Sequence, residues 1–287
     1  MSDCIEPTTL QAWRAAARQR CDHRHHADIE WLIQHTLRIN RAALISRSDL
    51  PLSQEITSTL NSGIAALRDD VPLAHLIGTQ PFWTMELIVT TDTLVPRADT
   101  EILVHAALSR LPGDHTGATI ADLGTGTGAV ALALGLERPN SEVHAVDKSR
   151  AALEVARLNA QSTEIDNVTF FEGDWAEGLP SGQYDVIVSN PPYVETDDGA
   201  LPSNLRHEPE IALAGGPDGL EQIRRLVPAA VARLKAGGWL MIEHGNMQAA
   251  GVSGILYDSG LTDLDTVPDI AGRDRVSLGK RPALPEA

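Results

Sequence analysis

The sequence predicts an α/β fold: a mostly parallel sheet with helices on both faces, preceded by a small helical bundle. Three observations predict it. From residue 118 onward, short aliphatic runs alternate with helical patterns, which is how a chain builds βαβ units. A glycine-rich turn at 124–128 joins the first of those runs to the first of those helices. Upstream of residue 78, apolar residues recur at helical spacing.

The elements follow in order. Leu10, Trp13, Ala16 and Ala17 share one helical face, as do Ile29, Leu32, Ile33 and Leu37, and then Ile56, Leu60, Ile64 and Leu67. Pro51 and Pro72 punctuate these helices, and residues 1–78 form the helical domain. Residues 79–97 change pattern. Phe82, Trp83, Leu87, Ile88, Val89 and Thr90 are strand formers between Pro81 and Pro96, so a short hairpin or extended linker is expected. The larger domain occupies 98–287. A helix over 98–110 stops at Pro112-Gly113-Asp114. Strands are expected at 118–123, 142–146, 168–172, 184–189 and 239–243, with weaker ones at 261–266 and 274–279. Helices are expected at 129–136, 150–160 and 218–234. The last of these opens with a capping box from Asp218 to Glu221 and is followed by a turn at Gly237-Gly238.

Composition narrows the function classes. A chain of 287 residues buries roughly 70–75% of its unfolded surface and needs no staples. Aromatic residues are only 4%, so the core is aliphatic. Two cysteines, Cys4 and Cys21, make no disulfide framework, and no apolar run approaches the roughly 18–20 residues that span a bilayer. A reducing cytoplasm is the expected compartment. The net charge of -16 is the wrong sign for phosphate neutralisation, so direct nucleic-acid binding is not expected. One local exception is the first fifty residues, where seven arginines face six acids.

The glycine loop reads Ile120-Ala121-Asp122-Leu123-Gly124-Thr125-Gly126-Thr127-Gly128. Glycines permit the tight turn and a close ligand approach. Asp147 ends the next strand, where a carboxylate can hold two ribose hydroxyls. Two readings fit. Gly124, Gly126 and Ala129 match a dinucleotide fingerprint. Asp122 followed by Gly124, Gly126 and Gly128 equally matches the loop of S-adenosylmethionine enzymes, whose nucleoside carries no pyrophosphate. Asp174 and Trp175 follow the third strand, where a carboxylate and an indole suit an adenine amine and ring.

The sharpest signal is Asn190-Pro191-Pro192-Tyr193 at the end of an apolar strand. Proline has a fixed φ and no N–H, so the loop presents carbonyl oxygens in a rigid array. The Asn190 side-chain carbonyl and the Pro191 backbone carbonyl can both accept from one NH2 group. An amide or ring-bound amine is a poor nucleophile because its lone pair is delocalised. Two acceptors orient that lone pair and favour the positive charge that develops on nitrogen during transfer. Tyr193 can pack on the flat group that carries it.

At these residues the chain resembles the HemK-type protein-(glutamine-N5) methyltransferases that modify peptide chain release factors. More specific than the glycine loop are Pro72-Leu73-Ala74-His75-Leu76-Ile77-Gly78, Phe82-Trp83 and Val95-Pro96-Arg97-Ala98-Asp99-Thr100-Glu101. Glu208-Pro209 and Ala212-Leu213-Ala214-Gly215-Gly216-Pro217-Asp218-Gly219-Leu220 add to them. The resemblance implies a class I S-adenosylmethionine-dependent methyltransferase, Rossmann-like, with a seven-stranded sheet, a hairpin linker and a five-helix domain that helps to hold the release factor. The implied target is the glutamine of a Gly-Gly-Gln loop. Asp122, Gly124, Thr125, Gly126, Gly128, Asp147, Asp174, Trp175 and Asn190 would contact the cofactor. Asn190, Pro191, Pro192 and Tyr193 would hold the glutamine amide. Arg97 and Glu101 would lie at the pocket mouth, unless they form a plain helix-end ion pair. Ala98 departs from the family, which usually has proline there. His244, after Glu243, is a second departure and reads as a surface or structural histidine.

Other readings are weighed beside this one. Cys21, His23, His25 and His26 cluster but lack a second ligand pair at zinc spacing, so no metal is expected. The same Asn190 pocket suits a nucleic-acid amino-methyltransferase acting on an extruded base, against which the acidic balance counts. A non-catalytic binding protein of this fold leaves the loops idle, and a nicotinamide oxidoreductase leaves Asn190–Tyr193 without a purpose. The expected oligomeric state is a monomer.

Overall fold

A computed structural model describes residues 9–111, 117–196 and 205–283. Cys4 and the Pro112-Gly113-Asp114 break lie outside the described residues. The chain divides into two compact units, Met1–Thr79 and Gln80–Ala287.

The first unit holds five α-helices among its described residues: α1 (Leu10–Arg20), α2 (His26–Leu37), α3 (Arg41–Ser46), α4 (Gln54–Arg68) and α5 (Leu73–Ile77). Thr9, Asn40 and Ser53 cap α1, α3 and α4, each side-chain oxygen accepting an otherwise orphaned N–H. Trp13, Ile29, Ile33, Leu60 and Leu67 form the core, and the Trp13 indole N–H donates to Asn61 Oδ1 at 3.1 Å. A Cβ on Gly63 would meet Leu32 at 2.5 Å, so glycine lets α4 lie close on α2. The short α3 and α5 span too few turns to show periodicity in sequence. The cysteine and histidines near residue 21 have local partners: Cys21 ends α1, His25 meets Asp28 and His26 meets the Arg18 carbonyl.

Next in the chain come β1 (Thr79–Phe82) and β2 (Met85–Ile88), a two-stranded hairpin turning at Trp83-Thr84. A 3-10 turn at Ala98–Thr100 leads into α6 (Glu101–Arg110). The alternating region is β3 (Thr119–Leu123), α7 (Ala129–Glu137), β4 (Glu142–Asp147), α8 (Arg150–Thr163), β5 (Val168–Glu172) and β6 (Tyr184–Ser189). It continues as α9 (Glu221–Arg233), β7 (Leu234–Glu243), α10 (Ala249–Asp258), β8 (Thr262–Pro268) and β9 (Asp274–Lys280). The seven strands run in the order β5-β4-β3-β6-β7-β9-β8, parallel except where β9 pairs antiparallel with β7 and β8. Side chains alternate between two cores. Ile120, Val186 and Val188 face α6 and α7, while Ala121, Leu123 and Ile187 face α9 and α10. No helix among the described residues is long and apolar enough to cross a membrane.

Two local expectations are corrected. The capping box does not form. Gly219 takes a left-handed φ of 69°, so α9 starts only at Glu221, and the Asp218 carboxylate is held by the Leu220 N–H and a bidentate Arg224. Gly237-Gly238 lies inside β7 rather than before it, at a register shift beside β6, where a Cβ on Gly238 would meet the Tyr184 carbonyl at 2.9 Å. In α10, Gly251, Ser253 and Gly254 weaken the helical pattern, so its sequence carries no clear helix signal.

Sheet order places the site. The chain winds outward from β3 to β5, then returns through β6 on the other side of β3. The carboxyl ends of β3 and β6 are therefore neighbours at a switch point, the place where such sheets bind ligands.

Candidate active site

The loop after β3 requires its glycines. Gly124, Gly126 and Gly128 have φ of 75°, 56° and 82°, where a Cβ would be strained. Gly124 also faces the Trp175 ring, which a Cβ would meet at 3.0 Å. The N–H groups of Gly124 and Thr125 both donate to the Val146 carbonyl. That of Gly126 donates to Asp147 Oδ2 at 2.8 Å, while Ser149 N–H binds the other oxygen at 2.8 Å. The loop amides are thus turned toward β4 and its terminal carboxylate. A pyrophosphate on the Gly126 amide would meet the Asp147 charge, which counts against the dinucleotide reading.

A cleft of about 480 Å³ opens over these residues. Its floor includes Gly124, Gly126, Asp147, Asp174, Trp175, Asn190 and Pro192. Asp92, Thr93 and Leu94 from the linker, and Glu210, Ile211 and Ala212, also line it. Its charged groups are the acids Asp92, Asp147, Asp174 and Glu210 against Lys148 and Arg225, an excess that suits a cationic ligand. Asp174 Oδ2 is shared between Lys148 at 3.4 Å and Arg225 at 3.2 Å. Among the described residues, the buried Trp175 Nε1 has no hydrogen-bond partner. Asp122 and Thr125 line a smaller adjoining recess with Gly124, Gly126, Thr100 and Asn190, and Gly128 lines neither space. The Thr125 hydroxyl donates to Asp122 at 2.6 Å, and Gly128 packs on Ala156. Burial pushes the Asp122 carboxyl up to about 7, against the Thr125 hydroxyl and the Ala131 N–H. Burial also raises Asp147, opposed by the N–H groups of Ser149, Gly126 and Lys148.

At the end of β6, Asn190 projects into the cleft, and Pro191 and Pro192 are buried. Asn190 Nδ2 donates to Thr100 Oγ1 at 3.1 Å, which leaves its carbonyl oxygen as the group offered to a ligand. The Tyr193 hydroxyl donates to Glu243 Oε1 at 3.3 Å. Burial raises its pKa, and so does the nearby Glu243 charge.

Arg97 and Glu101 do not pair with each other. The Arg97 guanidinium binds Glu208 Oε1, and the other Glu208 oxygen accepts the Val95 N–H at 2.9 Å. Glu101 accepts the Trp83 N–H at 2.8 Å, holding the hairpin turn where Trp83 has a left-handed φ of 57°. Between them, Asp99 meets Arg275 at 3.0 Å and Thr100 meets Asn190. Every polar side chain of the 97–101 segment therefore has a separate tertiary partner.

Sequence reasoning missed Thr100, Glu208, Glu243 and Arg275 as site-forming groups. Glu208 and Thr100 stood inside quoted motifs; Arg275 carried no signal. His244 is fully buried and not a surface residue. Its Nδ1 faces the Gly245 carbonyl and its Nε2 faces Ser277 Oγ, with burial lowering its pKa.

Residues 8–78 match the PrmC N-terminal domain family, and residues 99–207 match the methyltransferase small domain family. The chain is 44% identical over 272 residues to the release factor glutamine methyltransferase of Xylella fastidiosa strain Temecula1, covering 94% of this chain and 97% of that protein. It is 38% identical over 254 residues to the protein of the same name from Escherichia coli K12, covering 88% and 91%. Among solved structures, a methyltransferase from Pyrococcus furiosus superimposes with a TM-score of 0.52 at 20% identity, over 69% of this chain and 89% of that one.

Proposed function

The chain belongs to the release factor glutamine methyltransferases, and from that premise we propose that it moves a methyl group from S-adenosylmethionine to the side-chain amide nitrogen of the glutamine in a release factor's Gly-Gly-Gln loop. The single observation that carries the reading is Asn190. It stands at the switch point with its NH2 tied to Thr100 and its oxygen free to accept.

The residues present fit the cofactor. The cleft has the size of a nucleoside site, and its acidic balance suits a sulfonium that also carries an ammonium group. Asp147 can accept ribose hydroxyls on the lone pairs that the Gly126 and Ser149 N–H groups leave. Trp175, with Gly124 beneath it, offers a flat apolar wall. Bound S-adenosylmethionine supplies an electrophilic methyl group. The protein's task is to orient the amide. The Asn190 oxygen and the Pro191 carbonyl accept from the glutamine NH2, stop it rotating, and favour the charge that grows on nitrogen. The proton then leaves to water, so no dedicated base is needed. Proline at 191 and 192 keeps competing N–H donors out of the pocket.

The helical unit is assigned to holding the release factor, and the enzyme to acting as a cytoplasmic monomer. Incubation with methyl-labelled S-adenosylmethionine and a release factor tests the reading. Label is expected on the natural factor and not on one whose Gly-Gly-Gln glutamine is alanine. Equal labelling of both would move the target elsewhere.

A further inference from the structure

We propose that Gln248 is a positioning residue: its side-chain NH2 holds the Tyr193 carbonyl and so sets the tilt at which Asn190 and Pro191 meet the substrate amide. The proposal rests on the function above.

The 190–193 loop needs anchors from outside itself. Pro191 and Pro192 have no N–H, so two of its peptide units cannot tie themselves to the sheet by donating. β6 ends just before the loop, where Ser189 pairs with Ile242 of β7. The chain is caught again at Val194, whose N–H donates to the Leu213 carbonyl and whose carbonyl accepts the Gly215 N–H, both at 2.9 Å. Between these points, side chains from other elements do the holding. Thr100 accepts from Asn190 at 3.1 Å. Glu243, at the end of β7, accepts the Tyr193 hydroxyl at 3.3 Å, and Gln248 Nε2 donates to the Tyr193 carbonyl at 3.0 Å. Tyr193 is thus gripped at both ends.

The surroundings of Gln248 suit this contact. Gln248 stands directly before α10, yet its side chain makes no cap to that helix. Its Oε1 accepts the Gly245 N–H at 2.8 Å, and the Gly245 carbonyl accepts the Gln248 N–H at 2.9 Å. Those two bonds close the turn after β7 and fix Nε2 relative to the sheet. The same Nε2 donates to the Asp218 carbonyl at 3.4 Å. Two carbonyls on one side and an N–H on the other are served by an amide in a single orientation; a carboxylate has no proton to give them. The 215–219 turn presses on the pair. A Cβ at Gly219 would collide with both Gln248 Nε2 and the Tyr193 carbonyl, and one at Gly215 would lie 2.8 Å from Tyr193 Cα. Gln248 is buried and is not among the described residues that line the cleft, so it acts through Tyr193 and not by touching substrate.

The consequence is catalytic. The Asn190 oxygen and the Pro191 carbonyl must converge on one NH2, and a misplacement of about 1 Å can cost about 10²-fold in rate. Without Gln248 the Tyr193 peptide is free to turn, and with it the proline segment that carries the Pro191 carbonyl.

The test uses the full-length protein with Gln248→Glu and Gln248→Met, which keep the length of the side chain. Both should lower kcat by about 10²-fold, while S-adenosylmethionine affinity and the KM for the release factor stay at parent values. Measured against the parent at each pH, Gln248→Glu should recover as pH falls, since a protonated carboxyl regains one donor, and Gln248→Met should not. A packing role alone would not separate the two variants in this way. Parent kcat in both variants, a Gln248→Glu defect that low pH does not relieve, or a loss of cofactor affinity in step with kcat would each overturn the proposal. A parent enzyme that labels no release factor would defeat the functional reading instead. Crystals of Gln248→Met would then decide the role of Gln248, a displaced Pro191 carbonyl supporting it and an unmoved one overturning it.

Discussion

At the scale of single residues, Asn190 carries the chemistry and Asn159 shows how the same side chain serves structure. Asn190 offers one acceptor to a ligand. Replacing it with alanine should lower kcat by roughly 10²–10³-fold, the usual loss for one preorganised polar group in an active site. Calorimetry should find S-adenosylmethionine binding close to normal in that variant. Asn159 is fully buried and turns all its groups inward. Its oxygen accepts the Ile88 N–H at 2.7 Å, and its NH2 donates to the carbonyls of Ile88 and Thr127. It therefore ties β2 to the glycine loop. Asn159→Ala would strand those backbone groups away from water, and urea denaturation should show a loss of about 1–3 kcal/mol. An unchanged midpoint would mean that solvent reaches them.

At the scale of elements, much was legible and the gaps have physical reasons. The glycine loop could be read because left-handed φ at three positions demands glycine, and the Asn190 loop because two prolines after an apolar strand are hard to place otherwise. The 97–101 segment stood out as a motif, yet its roles could not be assigned. Arg97, Asp99, Thr100 and Glu101 answer to Glu208, Arg275, Asn190 and Trp83, and only the fold brings those partners within reach. The alternative of an Arg97 and Glu101 ion pair illustrates the limit: helical spacing is a local rule, and tertiary partners outcompeted it. The capping box failed for a similar reason, since Gly219 placed the helix start downstream of Asp218. Because Glu208 is buried, Arg97→Ala would leave its carboxylate without its charged partner. A loss of about 1.5–3 kcal/mol is expected, whereas a loss near zero would mean that the Val95 N–H suffices.

At the scale of the whole molecule, buried acids shape the response to pH. Asp122 and Glu243 both sit near 7 in the fold, against 3.8 and 4.5 for their ordinary values. The native state holds these protons more tightly than the unfolded chain, so their contribution is full below the unfolded values and fades as pH rises to about 7. His244 acts the other way, its lowered pKa costing stability as pH falls below its ordinary value of 6.5. Melting temperatures across pH 5–8 should therefore fall less in Glu243→Gln than in the parent, and the variant should be the more stable at pH 8. A parallel curve would mean that Glu243 is ionised throughout. The central claim concerns one nitrogen atom, and fragment mass spectrometry of a release factor treated with enzyme and S-adenosylmethionine addresses it most directly. The account predicts one added methyl group, placed on the side chain of the Gly-Gly-Gln glutamine and lost with Asn190→Ala. A methyl group on any other residue, or a factor that stays unmodified while the enzyme binds its cofactor, would contradict it.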